Sequence, residues 1–145
     1  MNKLVLLMTD KRMHIKTINE AINDKKLKNI NLVGSLTNNK NTYNYLKKNF
    51  SDCSNNLINK NSNRELFENN IIEKLEENKP NILLLTGWKF IFGNKFINNF
   101  DKVINIHPAL PDSYIGLNCI EKALIDNKKG IIKNTGVMIH YVLKI

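Results

Sequence analysis

A chain of 145 residues can bury one core and is too short for several, so it is read as a single domain, 1–145. It is 42% hydrophobic, with no run of 18 apolar residues, which argues against a membrane-spanning helix. The net charge of +9 comes from lysines scattered along the chain, with two arginines and no basic block. That pattern argues against a nucleic-acid partner and leaves room for a small anionic substrate in a local positive pocket.

The opening stretch Lys3-Leu-Val-Leu-Leu-Met8 is too short for a signal-peptide core and reads as a first strand buried on both faces. Cys53 and Cys119 have no metal-ligand spacing and read as free thiols of a reducing, cytoplasmic compartment, with no metal site. Residues 9 to 16 read as a loop. A helix follows, with Ile18, Ala21 and Ile22 on one stripe, and Thr17 and Glu20 as a capping box at its start.

Ile30 to Leu36 reads as the second strand. Thr42 to Phe50 reads as a helix with Tyr43, Leu46 and Phe50 inward, and the polar stretch Ser51 to Asn63 as a loop. Asn63 or Ser62 is expected to cap a helix from about Arg64 to Asn78, with Leu66, Phe67, Ile71, Ile72 and Leu75 as its apolar stripe. Lys79-Pro80 ends it. Asn81 to Thr86 is a continuous apolar strand of the parallel, buried kind, followed by Gly87.

Trp88-Lys-Phe-Ile-Phe92 gathers the single tryptophan and two phenylalanines, a composition that suits a flat aromatic guest. Gly93 to Phe100 reads as a short helix or turn. An apolar alternation then carries Asn105 and His107 straight into Pro108 and Pro111, which stop any strand. Residues two apart on a strand share a face, so Asn105 and His107 are expected side by side at a strand's carboxyl end, where open α/β sheets bind ligands. An amide donor beside an imidazole suits a carbonyl oxygen that becomes an oxyanion under nucleophilic attack. Cys119 to Asp126 reads as a helix with Ile120, Ala123 and Leu124 inward. Thr135 to Val142 reads as a last strand, with His140 as a core histidine.

Three pieces, in this order, resemble the folate-dependent formyltransferases: Lys79-Pro-Asn-Ile-Leu-Leu-Leu-Thr-Gly-Trp88, Ile104-Asn-Ile-His-Pro-Ala-Leu-Pro111 and Thr135-Gly-Val-Met-Ile-His-Tyr-Val142. The short His-Pro-Ala-Leu-Pro form with Ser113-Tyr-Ile-Gly116 is most similar to the members of that family that serve purine synthesis. The resemblance implies an α/β fold, three-layer and Rossmann-like with a mainly parallel sheet. It implies formyl transfer from 10-formyltetrahydrofolate to the amine of glycinamide ribonucleotide or another phosphorylated amine. Asn105 and His107 would be catalytic. Arg64, the stretch Trp88, Lys89, Phe90, Ile91 and Phe92, Asn105 and Val142 would hold the folate, with His140 behind them. The family's turn after the first strand is rich in glycine and holds the substrate phosphate on backbone amides. Here that turn is expected to carry extra residues and no glycine, leaving Lys11 and Arg12 as phosphate contacts. The family also has an aspartate a few residues past the last strand. Because the sequence stops at Ile145, the fold is read as C-terminally truncated, with activity weak or lost and self-association through residues 135 to 142. An amino-sugar N-formyltransferase and a non-catalytic folate- or partner-binding remnant are the two other readings.

Overall fold

The computed structural model describes residues 1–10 and 12–144. Its single six-stranded sheet runs β3-β2-β1-β4-β5-β6. The strands are β1 Asn2–Met8, β2 Ile30–Thr37, β3 Ser54–Leu57, β4 Ile82–Thr86, β5 Lys102–His107 and β6 Met138–Tyr141. The first five are parallel, and β6 runs antiparallel to β5. The helices are α1 Arg12–Asn23, α2 Lys40–Asn49, α3 Arg64–Glu76, α4 Asn94–Ile97 and α5 Cys119–Lys128.

The alternation of β1 divides the core in two. Leu4, Leu6 and Met8 pack on Ile15 of α1 and Leu46 of α2. Val5 and Leu7 pack on the opposite side, against Phe67, Ile71 and Leu75 of α3, Phe96 of α4, and Leu83, Leu85 and Val103 of the central strands. Helices on both faces of a mainly parallel sheet make the three-layer α/β fold expected from the strand–helix alternation. Asn63 caps α3, its Oδ1 accepting the Leu66 N–H at 3.0 Å.

Several local expectations are corrected. Thr17 and Glu20 do not begin a helix, because α1 starts at Arg12 and the Thr17 hydroxyl donates to the Met13 carbonyl one turn back. Burial of Ile15 against β1 decides that early start. The loop read over residues 51–63 contains strand β3. Its Asn55 carboxamide accepts from Ser35 Oγ at 2.7 Å and donates to the carbonyls of Phe50 and Cys53. Asparagine is a poor strand former alone, and these partners override its preference. Tyr43 is not a core residue: it lies under the ammonium groups of Lys40 and Lys47. Leu66, Ile120 and Leu124 are each about half exposed. On α3 the buried stripe is Phe67, Ile71 and Leu75, at spacing i, i+4, i+8, which turns Leu66 outward.

Gly34 lies where β1 and β2 shift register, Leu4 pairing with Leu32 and Val5 with Gly34. A Cβ at Gly34 would stand 2.8 Å from the Ser54 carbonyl oxygen and 3.1 Å from Asn78 Nδ2. The Ser54 group is backbone of the neighbouring strand and cannot step aside. Gly34→Ala is therefore expected to destabilise the protein by about 1–3 kcal/mol in urea unfolding, the range of an overpacked core.

Candidate active site

Strands β4 and β5 end level with each other, Thr86 beside Ile106. Past that level the chain turns away on both sides, at Gly87 with φ +64° and at Pro108. The divergence opens a cleft of about 260 Å³, lined by Asp10, Gly87, Trp88, Lys89, Asn105 and His107, with the start of α5 closing one side. This is the carboxyl end of a parallel sheet, where α/β folds place ligands. The structure thus brings Asn105 and His107 into one concavity, as their spacing on β5 predicts.

Asn105 pairs directly across the antiparallel ladder with His140. Its Nδ2 donates to His140 Nε2 at 3.2 Å, and His140 Nδ1 donates to the Tyr141 carbonyl at 3.1 Å. The two contacts are mutually consistent, because an amide nitrogen can only donate and a carbonyl can only accept. His140 is exposed on the sheet edge, which corrects its reading as a core histidine. It holds the Asn105 carboxamide in one orientation and leaves that NH₂ a second hydrogen for the cleft.

His107 is held from the loop 108–118. Its Nε2 lies 3.1 Å from the Tyr114 carbonyl and 3.4 Å from Cys119 Sγ. The Tyr114 phenol donates to Asp126 Oδ2 on α5 at 2.9 Å. Desolvation, then the hydrogen bond and the charge of Asp126, push that phenol above its ordinary value.

The aromatic stretch is turned inward. The Trp88 ring stacks on Phe67 and Phe92, and Phe90 meets both Phe67 and Trp88. Mutual stacking and loss of water favour this packing: Trp88 lines the cleft, and Phe90 and Phe92 pack behind it as its floor. Ile91 is exposed, and Lys89 Nζ pairs with Asp10 Oδ2 at 3.5 Å. No backbone–backbone hydrogen bond ties residues 88–92 to the other described residues. The Trp88 indole N–H is buried and has no partner among the described residues.

Arg64 stands at the start of α3, outside the cleft lining, its Nε donating to Glu68 Oε1 at 2.9 Å. Glu68 also accepts the Gly93 N–H at 2.7 Å, which fixes the far end of the 88–92 segment. Arg12 is turned toward α2, its guanidinium 5.5 Å from the Tyr45 ring centre, and does not line the cleft. Lys11 lies outside the described residues. Val142 packs on the core, and its N–H donates to the Val103 carbonyl. Among the described residues, no group of three His, Cys, Asp or Glu could hold a metal.

Sequence reasoning missed Glu68, Tyr114, Cys119, Asp126 and His14. The i, i+4 spacing of Arg64 and Glu68 was a usable signal. None existed for His14, whose ring meets the Thr86 hydroxyl across the top of the sheet.

Two outcomes are expected. His140→Ala should free the Asn105 amide and lower turnover about ten-fold, the scale of one hydrogen bond, while His140→Gln keeps an acceptor and most of the rate. A steady-state assay compares them. The raised phenol of Tyr114 gives a second test. Because the protonated form is favoured on folding, its contribution to stability is complete below the ordinary tyrosine value and is lost as pH rises through the higher folded value. An ultraviolet pH titration should show one tyrosine ionising later than the rest, and Tyr114→Phe should remove it.

The sequence matches the family described as Formyl transferase over residues 2–144. It is 37% identical over 75 residues to the phosphoribosylglycinamide formyltransferase of Dictyostelium discoideum, covering 48% of this chain and 36% of that protein. The corresponding protein of Schizosaccharomyces pombe is 31% identical over 84 residues, covering 55% of this chain and 41% of that protein. The matches thus span less than half the length of these curated relatives. Glycinamide ribonucleotide transformylase 1 of Symbiobacterium toebii superimposes with a TM-score of 0.85 at 16% identity, over 99% of this chain and 66% of that one. The phosphoribosylglycinamide formyltransferase of Coxiella burnetii gives 0.80 at 26% identity, over 97% and 65%. With the fold, the cleft and a match along nearly its whole length, the chain belongs to the formyl transferase family.

Proposed function

We propose that this chain transfers a formyl group from 10-formyltetrahydrofolate to the primary amine of glycinamide ribonucleotide. The observation that carries the reading is the pair Asn105 and His107, side by side at the end of β5 in the cleft of a formyl transferase-family fold. The names of the relatives support the choice of acceptor. The main chain of residues 88–92, above the aromatic floor, suits the hydrogen-bonding edge of a pterin, and Arg64 beside Gly93 suits an acidic tail. When bound, the folate supplies a formyl group activated on nitrogen.

The protein's residues then act on charge and protons. As the amine nitrogen bonds to the formyl carbon, the free hydrogen of the Asn105 amide and a proton on His107 face the oxygen that becomes negative. As the old carbon–nitrogen bond breaks, its electron pair stays on the departing nitrogen, which takes a proton from His107. The attacking amine releases one proton in forming the amide and restores His107, so the imidazole ends as it began.

Calorimetry with reduced folate and with the ribonucleotide, followed by an assay of formyl transfer, tests the reading. Folate is expected to bind more tightly, because the turn after β1 has no glycine to cradle a phosphate. Asn105→Ala and His107→Ala should each lower turnover by roughly 10²–10³-fold, the scale of one lost oxyanion donor. No binding of either ligand, or variants as fast as the parent, would sink the reading.

A further inference from the structure

The contacts behind the His107 ring decide which of its nitrogens does the work. Nε2 stands 3.1 Å from the Tyr114 carbonyl oxygen and 3.4 Å from Cys119 Sγ. A carbonyl oxygen has no proton to give, so Nε2 must be the donor. Nδ1 has no hydrogen-bond partner among the described residues, and the ring lines the cleft. We propose that Cys119 and the Tyr114 carbonyl are positioning groups for His107, holding Nε2 as a donor and leaving Nδ1 as the nitrogen that exchanges its proton in the cleft. This rests on the reading of His107 as the proton carrier.

Cys119 is the first residue of α5 and only 3% exposed. Its sulfur lies 2.9 Å from the Tyr114 carbonyl and 2.8 Å from the Gly116 carbonyl. One S–H bridges two carbonyls of the same loop, which keeps the Tyr114 oxygen against the imidazole. The facing oxygens cast the thiol as a donor and not a nucleophile. Nε2 is itself committed as a donor and cannot take the thiol's proton. Tyr114 has φ +47°, a left-handed conformation that a bulky residue adopts only under restraint. The restraint is visible at both ends of the residue: its phenol is tied to Asp126 and its carbonyl is met by Cys119 and His107.

In the transfer, the proton given to the departing nitrogen leaves from Nδ1, and the proton released by the attacking amine returns there. The Nε2 proton stays on its nitrogen throughout, donated to the Tyr114 carbonyl.

The test uses the chain with ¹⁵N-labelled histidine, read by long-range proton–nitrogen NMR, in the parent, Cys119→Ser and Cys119→Ala. Serine keeps a donor to the two carbonyls and alanine does not. The parent and Cys119→Ser should show His107 with its proton on Nε2 in the neutral ring, and Cys119→Ala a mixture of tautomers. Turnover should fall roughly 3- to 10-fold in Cys119→Ala, as for one hydrogen bond, with KM for the formyl donor unchanged and the rate largely restored in Cys119→Ser. A parent His107 protonated on Nδ1 would overturn the assignment. So would a Cys119→Ala variant with the parent's spectrum and rate. If Cys119→Ala does not fold, the parent and Cys119→Ser spectra still decide the tautomer. Because the spectra need no turnover, failure of the formyl-transfer reading would show separately, as a parent with the expected tautomer and no activity.

Discussion

The site depends first on the register between β5 and β6. That antiparallel pairing sets Asn105 opposite His140 and His107 opposite Met138. Strand β5 is also held by β4, so a shift of one residue in β6 would turn His140 to the other face and leave Asn105 without it, since neighbouring strand residues face opposite sides. The pairing also gives Asn105 a partner that fixes the direction of its amide, so a flexible carboxamide becomes a donor aimed at one place. Pro108 ends the strand one residue after His107, which leaves the imidazole at the rim instead of inside the sheet.

Beneath the cleft lies an aromatic floor. Phe67, Trp88, Phe90, Phe92 and Phe96 form a continuous chain of ring contacts, with Phe92 and Phe96 stacked at 3.7 Å between ring centres. Such pairs contribute on the order of 0.5–1.5 kcal/mol each beyond their buried area. The main chain that runs over this floor from Trp88 to Phe92 makes no ladder, yet it is held at both ends. Thr86 is fixed in β4, and the Gly93 N–H is fixed by the buried carboxylate of Glu68.

A second layer surrounds the functional groups with restraints from the loop 108–118. Asp112, Tyr114, Gly116 and Asn118 all have positive φ. A non-glycine residue stays in that region only where its surroundings demand it. Here the demands come from α5, through Asp126 on the Tyr114 phenol and Cys119 on two loop carbonyls. Helix α5 is largely exposed on its other sides, with Ile120, Leu124 and Ile125 each about half exposed. Its tie to the site is therefore made by a few polar contacts and by Cys119 and Ala123, not by a broad apolar stripe.

The sequence by itself determined the elements whose signals are local. The apolar runs of β1 and β4, the Asn63 cap and the alternation carrying Asn105 and His107 into Pro108 each depend on neighbours a few residues away. So does the resemblance that named the fold. The tertiary structure decided whatever joins residues distant along the chain. Ile15, buried against β1, set the start of α1 against the local capping pattern of Thr17 and Glu20. Partners on β2 and around α2 turned an asparagine-rich loop into β3. The pairing of β6 with β5 moved His140 from an expected core residue to the partner of Asn105. Ring contacts with Phe67 and Phe96 turned Trp88, Phe90 and Phe92 inward. Cys119 at His107 and Glu68 at Gly93 left no pattern to read, because a hydrogen bond between distant residues needs only the right atoms at the right place. The strand period and the proline stop are properties of the chain, whereas a partner across the sheet is a property of the packed molecule.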